Sequence, residues 1–397
     1  MSDNLPLKRF RVIDLTQARA GPTCVRLLSD WGADVVMVEP PMESGKNRVG
    51  LTGKRHDFDF QNLHRNKRAI TLNLKSEEGK AAFFKLVKDA DVVVENFRSI
   101  VKHKLGIDYE TLKKINPRLV YASISGFGQD GPYKERHGVD QIAQGMGGLM
   151  SVTGDPDGGP MRVGIPISDL CSGMFLAHGV LLALLDREVT GEGQWVHTSL
   201  LETMINMMDL QAARYLMKGE VPKSAGNNHP TGIPMGRFNS KDGYVVFAGS
   251  NTMFPRFCKA MALDELIDHP DYNSNDGRSD NRDALNAIIQ ERFMDFTSSE
   301  ITEKLMAAGV PCGPVNKVDQ TFADPQVKHL KMRRPQEHPI LGTFDVVGTA
   351  INLSKVERTT EKFPRHTPEM SEHTDEVLGE LGYDAATIQK MKENGDI

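Results

Sequence analysis

The sequence predicts an α/β protein with a Rossmann-like parallel sheet in a large domain and a second, smaller α+β domain. Short apolar runs that fit buried strands alternate with amphipathic segments through the first 130 residues. After about residue 220 prolines and glycines become frequent, and a turn followed by several helical segments replaces that alternation. We therefore predict a large domain over 1–220 and 325–397 and a small domain over 225–320.

Each element of the large domain follows from its local pattern. Ser76 is expected to begin a helix because Glu77 and Glu78 follow it near the positive helix end. The apolar residues of that helix recur at i, i+3, i+4 and i+7 from Phe83 onward, which indicates one buried face. The predicted strands are 10–15, 34–39, 70–74, 92–95 and 119–122, and the predicted helices are 21–32, 76–90, 170–186 and 374–381.

The small domain is predicted from one turn and three helical patterns. Lys241-Asp-Gly243 is typical of a turn that enters a strand at Tyr244. Thr297 and Glu300 have the spacing of a capping box, so a helix should begin at 298. The helical segments are 252–263, 279–295 and 298–308.

Composition excludes several classes of protein. With 48 lysine and arginine residues against 53 acidic residues, the 397-residue chain has a net charge of −5, which gives no reason to expect nucleic-acid binding, since that needs a basic face. The apolar stretch 174–185 is interrupted by His178 and is too short to span a membrane. The four cysteines lie far apart and the N-terminus lacks an apolar signal core, so we expect a cytoplasmic protein with reduced thiols.

The first strand and helix resemble a dinucleotide-binding unit only in outline. That fingerprint needs G-x-G-x-x-G so that the backbone can approach a pyrophosphate, whereas only Gly21 occurs in the turn, followed by Pro22. This mismatch argues against NAD.

Basic residues follow two of the predicted strands. In an open parallel sheet, ligands bind beyond the carboxyl ends of the strands, so basic side chains there suit an anionic, phosphate-bearing ligand. A solvated charged face is the alternative interpretation. The two groups are Arg65, Lys67, Arg68 and Lys75, and Arg98, Lys102 and Lys104.

Asp169 precedes a strongly apolar predicted helix. It is either the helix N-cap, a role it could share with Ser168, or a carboxylate nucleophile that the helix dipole keeps ionised. Free N–H groups at that helix end could also stabilise oxyanions during acyl transfer. Both roles can hold together.

At these residues the chain resembles the class III CoA-transferases, the family of formyl-CoA transferase and carnitine CoA-transferase. The resemblance covers nearly the whole chain. The motifs that carry it are Asp14-Leu-Thr to Ala20-Gly-Pro22, Asp34-Val-Val to Glu39-Pro40, Asn66-Lys-Arg68, Asp91-Val-Val-Val-Glu-Asn-Phe97, Gly126-Phe-Gly-Gln-Asp-Gly-Pro132, Asp169 with Ser172-Gly173, Gly309-Val-Pro-Cys-Gly-Pro314 and Glu372-His-Thr-Asp-Glu-Val-Leu378.

The resemblance implies a covalent mechanism on Asp169. In the family scheme this carboxylate attacks an acyl-CoA and is converted, through a mixed anhydride, to an aspartyl-CoA thioester that an acceptor acid then resolves. Asp140 matches a second active-site acid, with a structural carboxylate as its alternative. Coenzyme A enters as part of the substrate, and no metal or redox cofactor is expected.

The resemblance also implies contacts with CoA and a dimeric assembly, and the chain departs from the family pattern at some positions. We expect an interlocked homodimer, an acyl-CoA donor and a small carboxylic acid acceptor, and neither a membrane nor a nucleic-acid partner. The glycine-rich loop of formyl-CoA transferases has no counterpart over 222–251, which puts oxalate and formyl-CoA in doubt as substrates. Position 104 is Lys where formyl-CoA transferase has Arg, and position 137 is His where it has Lys. The matching CoA positions are Arg19, Ala20, Pro40, Leu72, Asn73, Leu74, Lys75, Asn96, Phe97, Arg98, Lys104, Arg136, His137, Gly138 and Val139.

Three other functions share these features. An α-methylacyl-CoA racemase needs a proton-carrying group on each face of the α-carbon, and its histidine position is Val139 here, so only a register shift to His137 would restore it. A CoA-binding protein without chemistry would not need Asp169. An acyl-CoA hydrolase would differ from a transferase by needing no acceptor acid.

Overall fold

The computed structural model describes residues 5–41, 53–356 and 363–397, which form two compact units. The larger unit contains Met1–Leu149, Val163–Met217 and Lys328–Ile397, and the smaller one contains Met150–Arg162 and Lys218–Val327.

The larger unit is built on a six-stranded parallel sheet, which confirms the predicted α/β class. Its strands are β1 (Arg11–Asp14), β2 (Asp34–Glu39), β3 (Lys67–Thr71), β4 (Val92–Glu95), β5 (Val120–Ser125) and β6 (Trp195–Ser199). Its first helices are α1 (Ala20–Ser29), α2 (Phe58–Leu63), α3 (Glu77–Lys88), α4 (Ser99–Leu105), α5 (Tyr109–Ile115), α6 (Asp140–Met146), α7 (Ile167–Thr190), α8 (Leu200–Met207) and α9 (Asp209–Lys218).

The strand order β3-β2-β1-β4-β5-β6 reverses direction between β1 and β4. Asp14 at the end of β1 pairs with Val94, next to the end of β4, so these two strands finish at nearly the same level. Such a switch point is where ligands bind in open α/β sheets. The fold thereby places the loops after β1 and β4 side by side.

Buried strands and capped helices explain why these segments fold as they do. The central strands are apolar on both faces, as expected for a sheet covered by helices on each side. The Ser76 hydroxyl accepts a hydrogen bond from the Gly79 N–H and so begins α3 as predicted. The strand β3 begins earlier than predicted, at Lys67, because ion pairs satisfy its buried charged residues.

The C-terminal segment completes the larger unit. It contributes the hairpin β10 (Arg333–His338) and β11 (Gly342–Val347) and two helices, α16 (Thr374–Glu380) and α17 (Ala385–Asn394). Arg68 of β3 is paired with Asp34 and with Glu376 and Glu380 of α16. These pairs tie the end of the chain to the sheet edge at β3.

The helix α7 is longer and more apolar than the sequence prediction allowed. It runs from Ile167 to Thr190 and is long and apolar enough to cross a membrane, although half of its most apolar window is buried within the chain. It packs along α1, β5 and β6, as a core helix does. Apolar side chains such as Leu185 and Val189 remain exposed on its outer side.

The smaller unit has its own antiparallel sheet and core. The sheet joins β7 (Met235–Asn239), β8 (Tyr244–Ala248) and β9 (Cys312–Pro314). The Thr297 and Glu300 capping box is present, which confirms the predicted helix start. The other helices are α10 (Phe254–Met261), α11 (Asn275–Asp280), α12 (Arg282–Phe293), α13 (Ser298–Ala307), α14 (Val318–Ala323) and α15 (Pro325–His329).

Residues 150–162 belong to the smaller unit, whereas the predicted domain ranges include them in the larger one. The Ser224 hydroxyl donates a hydrogen bond to the Gly154 carbonyl, and Pro156 packs beside Gly226. These contacts attach the turn to residues far along the chain, which its sequence alone does not indicate.

Candidate active site

A buried ion pair at the end of β1 supports the loop that follows this strand. The Lys67 Nζ lies 2.8 Å from one Asp14 carboxylate oxygen, and both side chains are inaccessible to solvent. The other oxygen accepts hydrogen bonds from the Thr16 N–H and hydroxyl at 2.9 and 2.5 Å. Gly21 is required after this loop because a Cβ there would collide with Thr16. The turn into α1 is therefore tight and well supported.

A carboxylate from another element caps the N-terminus of α7. The helix has no side-chain cap of its own, and Asp169 occupies its first turn instead of the N-cap position. One oxygen of Asp140 accepts from the Ser168 N–H at 2.9 Å and from its hydroxyl at 2.8 Å, and the other accepts from Gln144 at 2.7 Å. One oxygen of Asp140 therefore caps α7, and the other is engaged within its own helix, α6.

The environment of Asp169 makes it a stronger nucleophile than an ordinary aspartate. Burial raises its pKa from 3.8 to about 6, the Asp140 carboxylate adds to the increase, and the Arg19 guanidinium opposes it. At pH 7 such a group is still about 90% ionised. The site therefore combines a more basic carboxylate with the charge state needed for attack on an acyl carbon.

Helix N–H groups at this end are less available than the sequence suggested. The Ile167 N–H bonds to the Ile165 carbonyl at 2.8 Å, and the Ser168 N–H bonds to Asp140. The prediction that free N–H groups of α7 stabilise an oxyanion is therefore wrong for these two donors.

Gly173 lets α7 approach α1 closely. A Cβ at this position would lie 2.6 Å from the Ala20 carbonyl oxygen and 2.7 Å from the Thr23 Cβ. The glycine sits one helical turn after Asp169, on the side that faces α1. It therefore sets the distance between the two elements that frame the candidate nucleophile.

The predicted CoA positions that follow β1 to β4 lie at one edge of the sheet. Glu39 of β2 pairs with Thr71 of β3, and Glu95 of β4 pairs with Ser123 of β5, so these parallel strands end together. Lys75 and Arg98 are exposed there and suit phosphate groups, whereas Leu72 is buried in the core below the edge. The positions at this edge are Arg19, Ala20, Pro40, Leu72, Asn73, Leu74, Lys75, Asn96, Phe97 and Arg98.

The remaining predicted CoA positions come from α4 and from the segment before α6. Lys104 is exposed on α4. Gly138 packs backbone to backbone on Gly126, since a Cβ on Gly138 would come within 2.5 Å of the Gly126 Cα. The contact between Gly126 and Gly138 accompanies an approach of the neighbouring His137, whose Nε2 lies 3.2 Å from an Arg98 nitrogen. The other members of the segment, Arg136 and Val139, are exposed.

Several basic residues proposed for phosphates are engaged elsewhere. Arg65 pairs with Asp30, and Lys67 and Arg68 form the ion pairs described above, so the first basic group is reduced to Lys75. Lys102 is buried against Glu95 at 3.0 Å. The Arg19 guanidinium forms an ion pair with Asp59 of α2. Phosphate binding is the wrong interpretation for Arg65, Lys67, Arg68 and Lys102, because these four side chains are buried and paired with carboxylates.

One group of side chains has the composition of a metal site. The His56 Nε2 and His338 Nε2 lie 2.6 and 3.5 Å from the same Glu369 oxygen. The His338 Nδ1, however, accepts from the N–H groups of Ile340 and Leu341 at 3.2 and 3.3 Å. A neutral His338 therefore carries its proton on Nε2, so that atom has no lone pair to offer a metal, and it makes no hydrogen bond to Glu369.

Sequence reasoning missed one supporting residue, Asp59, and one contact, between Asn96 and Gln17. Asp59 neutralises Arg19, and nothing in the local pattern of α2 indicated this. Asn96 was predicted to contact CoA, but its side chain hydrogen-bonds both backbone groups of Gln17. The motif Asp91 to Phe97 contains Asn96 but gives no indication of its partner Gln17.

The comparisons with known proteins identify the class of enzyme to which this fold and site belong, the CoA-transferases. The family model for CoA-transferase family III matches residues 7–374, and the chain belongs to that family. It is similar to human succinyl-CoA:glutarate CoA-transferase, with 34% identity over 100% of this chain and 90% of that protein. It is also similar to succinyl-CoA:mesaconate CoA-transferase of Haloarcula marismortui, with 37% identity over 96% of this chain and 98% of that protein.

A solved structure shows the same fold. The crystal structure of a CAIB/BAIF family protein from Brucella suis aligns with a TM-score of 0.84 and 36% identity, covering 96% of this chain and 100% of that one. The protein is thus an enzyme, a family III CoA-transferase, whose substrates are CoA thioesters and carboxylates.

Proposed function

We propose that this enzyme moves CoA from succinyl-CoA to a second small carboxylic acid through a thioester on Asp169. The observation that carries the proposal is the half-buried Asp169 in the first turn of α7, with its pKa raised to about 6. A carboxylate in this state is basic enough to attack and remains mostly ionised at neutral pH.

In the first half of the reaction Asp169 takes up the acyl group of the donor and then exchanges it for CoA. An Asp169 oxygen attacks the thioester carbonyl carbon, the C–S bond breaks, and CoA leaves as a thiolate from the resulting mixed anhydride. The thiolate then attacks the aspartyl carbonyl carbon, the anhydride C–O bond breaks, and the donor acid leaves as a carboxylate. The enzyme now holds an aspartyl-CoA thioester.

The second half runs the same steps in reverse with the acceptor. The acceptor carboxylate attacks the aspartyl thioester and expels the CoA thiolate, which forms a new anhydride. The thiolate attacks the acceptor acyl carbon, and Asp169 leaves as a free carboxylate. The thioester is conserved throughout, so no ATP is consumed.

Two relatives support succinate as the donor acid. Both are named as succinyl-CoA enzymes, and their acceptors, glutarate and mesaconate, are also dicarboxylic acids. We therefore propose a dicarboxylate as acceptor. Exposed Lys75 and Arg98 at the carboxyl edge of the sheet supply positive charge for the CoA phosphates.

Intact-mass analysis after incubation with succinyl-CoA, glutaryl-CoA or acetyl-CoA tests the mechanism. We expect a CoA-sized adduct that peptide mapping places on Asp169 and that Asp169→Ala abolishes. The matched control is Asp186→Ala, which removes a carboxylate from the far end of α7. Absence of an adduct with every donor, in folded protein that binds CoA, would refute the mechanism. CoA release without an acceptor would indicate the hydrolase alternative.

We further propose that the enzyme is a homodimer with interlocked subunits. The helix α9 supports this, because it buries no residue within its own chain while Leu216 and Met217 are 80% and 84% exposed. The exposed apolar side of α7, with Leu185 and Val189, supports it as well. Apolar surface of this kind is typical of a subunit interface.

Light scattering after gel filtration tests the assembly. We expect a dimer mass that persists on dilution, since interlocked chains separate only by unfolding. A charged substitution, Leu216→Glu, should impair assembly, while Val318→Glu on α14 provides a control with a similarly exposed apolar residue. A monomer with full activity would refute the proposal.

A further inference from the structure

Asn96 connects the two loops that meet at the switch point of the sheet. Its side-chain oxygen accepts a hydrogen bond from the Gln17 N–H at 2.9 Å, and its side-chain nitrogen donates to the Gln17 carbonyl at 2.7 Å. The two residues are separated by 79 positions in sequence. An amide is the side chain that can satisfy a backbone donor and a backbone acceptor at once.

The position of Asn96 is itself held from its own strand. Its neighbour Glu95 is buried at the end of β4, with one oxygen bonded to Lys102 and Ser123 at 3.0 and 2.5 Å. The other Glu95 oxygen accepts from the Phe97 N–H at 2.7 Å. Hydrogen bonds of Glu95 therefore hold the loop after β4 at the residues on both sides of Asn96.

The loop after β1, to which Asn96 is hydrogen-bonded at Gln17, has an unfavourable backbone conformation. Ala18, the next residue after Gln17, has φ +61°, in the left-handed region that a non-glycine residue rarely adopts. Such a conformation persists only where surrounding contacts hold it. Asp14 holds Thr16 from one side, and Asn96 holds Gln17 from the other.

The residues that follow Gln17 lie close to the candidate nucleophile, Asp169. The pKa of Asp169 is raised by burial and by Asp140, and the positive charge of Arg19 partly offsets this increase. The charge of Arg19 therefore acts on the Asp169 carboxylate. Ala20 begins α1, and its carbonyl faces Gly173 of α7. A shift of the loop at Gln17 therefore changes the surroundings of Asp169.

We propose that Asn96 is a positioning residue, which acts on the reaction by fixing the loop 16–19 beside Asp169 and not by contact of its side chain with CoA. This proposal rests on the proposed function of Asp169. A residue whose amide contacts the ligand would affect CoA binding. A residue that sets loop geometry affects the rate of the covalent step, because small misplacements of reacting groups are costly.

Asn96→Ala removes both hydrogen bonds, and Asn96→Asp keeps the acceptor but sets a carboxylate against the Gln17 carbonyl. Asn116→Asp is the matched control. The Asn116 amide also donates to two carbonyls, of Val87 and Ala90, at 3.0 and 2.8 Å, and accepts from the Arg118 N–H at 3.0 Å. It lies before β5, at the opposite edge of the sheet.

The readouts are kcat, the KM for succinyl-CoA, the rate of adduct formation on Asp169 and the melting temperature. For both Asn96 variants we expect kcat and the loading rate to fall about tenfold or more, with KM changed less than about threefold. Asn116→Asp should lower the melting temperature and leave kcat within about twofold of wild type. If Asn96→Ala fails to fold, Asn96→Asp carries the comparison.

Three results would overturn the proposal. A raised KM with unchanged kcat would assign Asn96 to ligand contact. Loading of Asp169 in Asn96→Ala at the wild-type rate would show that the tether is dispensable. An equal loss of kcat in Asn116→Asp would reduce the effect to general destabilisation. Failure of the wild-type enzyme to form any adduct would instead refute the proposed function.

Discussion

Replacing Gly173 by alanine tests whether the contact between α1 and α7 controls catalysis. The added Cβ would lie 2.6 Å from the Ala20 carbonyl oxygen and 2.7 Å from the Thr23 Cβ. Ordinary contacts between such atoms exceed about 3.4 Å, so the helices must separate by roughly 0.7 to 1 Å. Overpacking of this size costs about 1–3 kcal/mol, and a displacement of about 1 Å near reacting groups costs about 100-fold in rate.

Thermal unfolding and steady-state kinetics with succinyl-CoA measure the two effects. We expect Gly173→Ala to lower both the melting temperature and kcat. Gly379→Ala is the control, since a Cβ in that helix meets no atom within 4 Å and alanine favours helix by about 0.5–1 kcal/mol. Wild-type kcat and melting temperature in Gly173→Ala would refute the argument that this glycine sets the helix separation.

Three further predictions concern ionisation and charge. The pH profile of kcat/KM should lose activity as the pH falls through about 6, where Asp169 gains a proton, and Asp140→Asn should move this limb to lower pH because a like charge is removed; an unchanged or raised limb would contradict this. Arg68→Met should lower the melting temperature, by about 1–3 kcal/mol of stability, because it leaves three carboxylates without their shared partner, yet keep kcat/KM near wild type; a large loss of activity would argue for a ligand role. Lys75→Ala should raise the KM for succinyl-CoA several-fold at low salt and less at high salt, with kcat unchanged; an unchanged KM would remove Lys75 from the phosphate site.

Much of the larger unit could be predicted from local sequence. The strand 34–39 was predicted with the bounds that the structure has, and the helix that begins after Ser76 has the expected cap. These features depend on residues within a few positions of one another, so local pattern contains the information. The start of β3 was missed because its polar residues are stabilised by ion pairs with residues distant in sequence.

The candidate site could be located from the sequence but not understood from it. Asp169 was proposed as nucleophile or N-cap, and the structure places it in the first helical turn, with Asp140 from α6 as the capping group. Lys75 and Lys67 look alike as strand-end cations, yet one is exposed and the other pairs with Asp14 in the core. Local sequence does not show how a charge is compensated.

The sequence by itself determined the alternation of strands and helices, the parallel sheet and the motifs that mark Asp169, since periodicity and turn chemistry are local properties. Only the tertiary structure decided which cations remain free for phosphates, how Asp140 raises the pKa of Asp169 and how Asn96 grips Gln17. Each of these depends on groups brought together from separate elements. Burial and pairing set the energy of a charge or a strained loop, and both arise only when the chain has folded.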